Sequence, residues 1–137
     1  MRQLRALERL ARCVMRVGMT AAASVGLASA VQAQTLEAGS AQRGAALYDS
    51  RCFGCHSEDA NRVGPKHRGV LGRKAGGVSD FMYSQALQQS TLVWSKTTLN
   101  DWLKNPQALI PGQAMNVSVS GAQDRADLVA YLATLVK

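Results

Sequence analysis

Cys52-Phe53-Gly54-Cys55-His56 constrains this chain more than any other stretch, because two thiols three positions apart, followed at once by an imidazole, have the spacing of c-type haem attachment. Each thiol can form a thioether to a haem vinyl group, and the adjacent His56 then lies under the iron as proximal ligand. Competing uses of these residues fit less well. A structural zinc site needs four ligands, and beyond residue 33 the only cysteines and histidines are Cys52, Cys55, His56 and His67, with Cys55 and His56 adjacent. A thioredoxin-like pair belongs at a strand-to-helix turn, and no apolar strand precedes Cys52. A Cys52–Cys55 disulfide would close a tiny, sterically poor loop.

Residues 1–33 begin with Arg2, Arg5, Arg9, Arg12 and Arg16, continue through an Ala/Val/Leu/Gly-rich run from Val17 to Ala30, and end Val31-Gln32-Ala33. This is the pattern of a secretory signal peptide with a small-x-small cleavage site after Ala33. The apolar run is short and rich in Ala and Gly, whereas a membrane-spanning helix needs about 20 strongly apolar residues. An organellar transit segment also starts Arg-rich, but Glu8 and the Ala-x-Ala-like end favour export. An exported c-type haem protein implies a bacterial periplasm, with residues 34–137 as one mono-haem domain and no permanent membrane span.

Cleavage removes five arginines, one glutamate and Cys13, so the 16 basic and 9 acidic residues of the whole chain fall to 11 and 8. The basic excess that would suggest nucleic-acid binding belongs largely to the targeting segment, and no nucleic-acid partner is expected. The remaining domain has only seven aromatic residues, a small core in which a large apolar macrocycle is a plausible part of the interior.

The mature sequence reads as all-α. Ser40 can cap a helix that places Ala41, Ala45, Tyr48 and Cys52 on one face and delivers the first cysteine. Gly64-Pro65, Gly69, Gly72 and Gly76-Gly77 punctuate an Ω-type loop over 61–80. A short helix is predicted over 83–89. Another is predicted over 98–105, with Thr98 and Asp101 at capping-box spacing and Pro106 as its stop. The last, over about 123–136, carries Leu128, Leu132, Leu135 and Val136 as its apolar stripe.

A sixth iron ligand has few candidates. Met115 follows the non-helical Pro111-Gly112-Gln113-Ala114 and can offer a soft sulfur from a loop. Met82, between Phe81 and Tyr83, is expected in core packing. His67 lies eleven residues from His56 across a Gly-Pro turn, which makes ligation of the opposite face awkward; its ordinary role is a packed loop imidazole with one nitrogen hydrogen-bonded.

In these motifs the sequence resembles the soluble class I cytochromes c over nearly all of the mature chain. The resemblance rests on Cys52–His56, Gly64-Pro65, Gly69-Val70-Leu71-Gly72-Arg73, Asn105-Pro106, Pro111–Met115 and the run from Arg125 to Leu132. It implies the small all-α cytochrome c fold, helices and Ω-type loops wrapped around one haem c attached through Cys52 and Cys55, with His56 and Met115 on the iron. It also implies that Gly44 and Tyr48 cross the last helix at Leu128 and Tyr131. Pro65 then supplies the carbonyl that accepts the His56 N–H, and Arg73, Tyr83 and Trp94 bond a haem propionate. Trp102 stands where the family often has a tyrosine near the methionine: its indole either remakes that hydrogen bond or, as the simpler expectation, packs on the macrocycle.

Gln113 replaces a frequent threonine, Val117 a frequent phenylalanine, and the segment between Met115 and Arg125 is one residue short of the family pattern. Few lysines surround Met115, Lys66 and Lys104 being the nearest candidates, so a mostly apolar and polar docking surface is expected. The implied function is a monomeric periplasmic one-electron carrier, not an enzyme, meeting a donor and a terminal oxidase or reductase transiently. The alternatives are a cytochrome subunit of a periplasmic dehydrogenase and a haem sensor or enzyme with a labile sixth ligand.

Overall fold

Ser40 opens the first helix as the sequence predicts: its Oγ accepts the Arg43 N–H at 3.3 Å and α1 runs Ala41–Arg51. In this computed structural model, which describes residues 37–137, four more helices follow: α2 (Gln85–Gln89), α3 (Lys96–Lys104), α4 (Pro106–Leu109) and α5 (Ala122–Thr134). The expected signal peptide, with Cys13, lies outside the described residues.

The frame is the packing of α5 on α1 and α3. At the first crossing a Cβ on Gly44 would sit 2.0 Å from the Asp127 carbonyl oxygen and 2.7 Å from Tyr131 Cβ, so only glycine lets these backbones meet. The same contact buries Asp127, 2% exposed, whose carboxylate accepts from Ser40 N–H, from Arg43 Nε–H at 2.7 Å and from Gln123 Nε2–H. The Arg43 guanidinium bond is the main reason that the Asp127 carboxyl is held down to about 2. A carboxyl depressed in the fold stabilises fully above its unfolded value of 3.8 and loses that contribution as pH falls towards its folded value. Acid unfolding is therefore expected to steepen below about pH 4, and Asp127→Asn to flatten that limb while lowering stability at neutral pH, readable by helical circular dichroism.

Arg125 ties α5 to its other neighbours, donating to the Val119 and Ser120 carbonyls at 2.8 and 2.7 Å and to Asn100 on α3. Tyr48 and Leu128 (each 1% exposed) centre the core, with Leu99, Leu103 and Leu132 around them and Trp94 edge-on to Trp102 at 5.3 Å. The long segment between α1 and α2 is a loop, turning at positive φ at Gly69, Gly72 and Gly76 and fastened to residues 92–94 by three backbone bonds around the Lys74–Val93 bridge.

Several expectations are corrected. The cap of α3 is Ser95, not Thr98: Ser95 Oγ accepts the Thr98 N–H at 3.1 Å and Thr98 Oγ1 accepts the Ser95 N–H at 2.7 Å, so Thr98 is the reciprocal third residue of the box. Pro106 ends α3 but also begins α4, capped by Asn105, because proline suits a helix's first turn as well as it stops one. α2 starts at Gln85, with Ser84 as cap, rather than at residue 83. Val136 leaves the apolar stripe, 68% exposed, because α5 ends at Thr134 and its periodicity ends with it. Met82 is 94% exposed rather than packed in the core: Phe81 and Tyr83 pack edge to face with ring centroids 4.8 Å apart, and the residue between them faces outward. No helix among the described residues is long and apolar enough to cross a membrane.

Candidate haem site

The C-terminal end of α1 sets the first thiol. Cys52 is the helix cap, its N–H on the Tyr48 carbonyl, and the chain then turns so that the Cys55 and His56 N–H groups both reach the Cys52 carbonyl, at 3.0 and 2.8 Å. Both sulfurs are free, Cys52 half-buried and Cys55 exposed. Burial pushes the Cys52 thiol up to about 11, so it is protonated at neutral pH.

His56 is held on three sides. Its Nδ1 lies 2.8 Å from the Pro65 carbonyl, which can only accept, so the proton is on Nδ1 and the lone pair on Nε2. Burial lowers the proton affinity of this ring despite the Pro65 bond, which keeps the imidazole neutral and able to donate to a metal. Gly64 presses its backbone against the ring: a Cβ there would lie 2.1 Å from His56 Cε1. The peptide unit after Pro65 is anchored from its other end, Asn61 Oδ1 accepting the Lys66 N–H at 3.0 Å.

His67 lies against His56, ring centroids 4.2 Å apart and planes within 20°. Rings stacked at that distance do not approach one metal atom from opposite sides, so His67 takes the packed role that the sequence suggests. Its Nδ1 is 2.9 Å from the Tyr48 hydroxyl, and burial, then the neighbouring His56 and Arg73, pull its pKa down to about 3.

Met115 comes from the loop after α4, half-buried against the core, with its N–H bonded to the Gln113 side chain. Its sulfur receives a hydrogen bond: Trp102, buried on α3, points Nε1–H at Met115 Sδ across 3.2 Å. The indole thus takes the hydrogen-bonding option rather than packing alone. Gln113 as the backbone partner of Met115 is a role that sequence reasoning missed; no local pattern distinguishes a glutamine that folds back two residues.

Trp94 and Arg73 are joined through the backbone, the Trp94 N–H on the Arg73 carbonyl at 2.9 Å. Trp94 packs on Trp102 in the core. Arg73 and Tyr83 are near enough to influence each other's ionisation, and both are half-buried. The Arg73 guanidinium donates to the Arg68 and Lys66 carbonyls at 3.0 and 2.8 Å, bracing the loop, and retains three of its five N–H groups for an anion.

The donor set fits a covalently held haem: two free thiols at one helix end, a neutral imidazole with Nε2 unengaged, and a thioether packed against the core. The family model described as Cytochrome c matches residues 41–136, from the start of α1 to one residue short of the chain's end. Cytochrome c of Euglena viridis is 39% identical over 100 residues, covering 71% of this chain and 98% of its own length. Cytochrome c2 of Rhodomicrobium vannielii is 39% identical over 116 residues, covering 82% and 92%. Among solved structures, cytochrome cH from Methylobacterium extorquens superposes with a TM-score of 0.67 at 37% identity, over 70% of this chain and 99% of that one. Matched from first helix to last and carrying the Cys-x-x-Cys-His motif at the end of α1, the chain belongs to the cytochrome c family, electron carriers built on one covalently attached haem c.

Proposed function

We propose that this protein is a periplasmic one-electron carrier in which His56 and Met115 ligate the haem iron, while Arg73, Tyr83 and Trp94 partner its carboxylates. The observation that carries the reading is the pair of prepared donors. Pro65 fixes the proton of His56 on Nδ1 and so frees Nε2, and Trp102 holds the Met115 sulfur in place. When bound, the haem supplies the one-electron couple, and a thioether ligand favours its ferrous form relative to a second imidazole. The protein's own part is to keep both axial donors fixed, exclude water from the iron and give the propionates hydrogen-bond partners. With both positions filled no site remains for a substrate. The location rests on the export pattern of residues 1–33, and the similarity to bacterial cytochromes c2 and cH agrees with it.

The test is an absorption spectrum of the purified, haem-loaded protein, oxidised and reduced, with and without carbon monoxide. A weak long-wavelength ferric band from methionine sulfur and a reduced spectrum indifferent to carbon monoxide are expected. Ready carbon monoxide binding without that band would overturn the His/Met assignment. Cell fractionation with N-terminal sequencing checks export and cleavage.

Partners meet such a carrier through a small transient interface. Around the exposed Cys55, Phe53 (51% exposed) and Val63 (78%) present apolar surface, with Arg62 folded over the Phe53 ring at 4.8 Å. Lys66, one of the two nearest lysines on the sequence reading, is paired with Asp80 at 3.4 Å. Electron-transfer rates with a monomeric redox partner are therefore expected to change by less than about threefold between low and physiological ionic strength. A steep fall measured by stopped flow would contradict this docking surface.

A further inference from the structure

His67 is a half-buried imidazole that a His/Met-ligated electron carrier does not require. Its surroundings are specific. One face lies on His56 with centroids 4.2 Å apart and planes 20° from parallel. Its Nδ1 is 2.9 Å from the Tyr48 hydroxyl, and the Tyr48 ring stands edge-on to it at 5.5 Å. Tyr48 itself is 1% exposed and tilted against Tyr131 at 5.2 Å, and the Tyr131 hydroxyl donates to Glu58, which also pairs with Arg68 at 3.1 Å. A wall of aromatic and hydrogen-bonded groups thus runs from the α1–α5 crossing to one face of His56.

We propose that His67, held in place by Tyr48, is a positioning residue that sets the plane of the His56 imidazole. The proposal rests on the reading of His56 as an axial ligand and adds a determinant of how that ring is turned. The Pro65 carbonyl directs one ring atom, but the torsion that rotates an imidazole about its own side-chain bond has a broad minimum, and one hydrogen bond leaves the ring free to pivot. Gly64 bounds the ring near Cε1. The flat surface of His67 removes the remaining freedom, since a planar neighbour at stacking distance admits one orientation of the opposing ring. An aliphatic side chain of similar volume would fill the space without offering a plane or making the directional bond to Tyr48.

The plane of an axial imidazole selects which iron d-orbital it overlaps, and so how unpaired spin is distributed over the four haem methyl groups of the ferric state. Proton NMR of the haem-loaded ferric protein reads this directly. In the parent, strongly shifted axial imidazole protons are expected; without them the His56 reading itself fails, and the proposal with it. With them present, His67→Leu is expected to change the order or spread of the four methyl resonances. His67→Phe, which restores a flat face but not the bond to Tyr48, is expected to return the pattern most of the way to the parent, to about where Tyr48→Phe leaves it. Tyr48→Phe, which removes only the hydroxyl, is expected to shift the pattern in the same direction as His67→Leu and less far. A merely structural His67 would lower the melting temperature of His67→Leu and leave the methyl pattern of the parent intact, and that result overturns the proposal. If His67→Leu does not fold, Tyr48→Phe decides in the same way: a parent pattern overturns the proposal, a displaced one supports it.

Discussion

Met115→Ala is expected to abolish the weak long-wavelength ferric band, lower the reduction potential and let the reduced protein bind carbon monoxide. Alanine has no donor atom, so the iron loses the ligand that most favours its ferrous form, and a small exogenous ligand finds an open position. The substitution also strands Trp102. Its buried Nε1–H now donates to the Met115 sulfur at 3.2 Å, and a buried donor left unpaired costs about 1–3 kcal/mol beyond the lost packing of the side chain. Trp102→Phe separates the two effects: the sulfur stays, so the band is expected to persist. Without the donor the sulfur's lone pairs are fully available to ferric iron, and the potential is expected to fall by less than in Met115→Ala. Optical redox titration of both variants is the check, and retention of the band in Met115→Ala would remove Met115 from the iron.

Gly44→Ala is expected to be the most destabilising single-methyl change in the molecule, because the added carbon would fall 2.0 Å from a backbone oxygen of α5, a group that cannot rotate aside. The helices must separate, and the bonds from Ser40 and Arg43 to Asp127 lengthen with them. Overpacking of this kind costs about 3 kcal/mol, more than the gain of roughly 1 kcal/mol in helix propensity from glycine to alanine. The net is a fall of roughly 10 °C in the melting temperature of a domain of this size. Gly39→Ala, whose Cβ would meet the Ala126 oxygen at 2.2 Å, acts in the same direction and less strongly because Gly39 precedes the helix and can shift. A Gly44→Ala protein melting within a few degrees of its parent would show that the crossing is looser than these distances imply.

What was legible in the sequence is what is encoded locally. The Ser40 cap, the attachment motif, the glycine-punctuated loop and the loop that carries Met115 each depend on residues a few positions apart, and each stands where the sequence puts it. The structure departs from the sequence pattern where one local rule has two solutions. Ser95-x-x-Thr98 and Thr98-x-x-Asp101 both have capping spacing, and only the first is formed. Pro106 could end a helix, begin one, or do both. Contacts between distant segments left no local trace. The stacking of His67 on His56 and its bond to Tyr48, nineteen positions away, depend on how the 61–80 loop folds back over α1.

The Ser40–Asp127 bond spans 87 positions, so the first helix is not closed against its neighbour until nearly all of the chain is available. Folding also changes the chemistry of Cys52, whose thiol is pushed up to about 11 by burial and is therefore a poor nucleophile in the folded molecule. An open chain, with that sulfur in water, presents a larger thiolate fraction to a vinyl group. The fold therefore bears on the protein's own maturation: addition of this thiol to a vinyl group is chemically easier with Cys52 in water than in the folded chain.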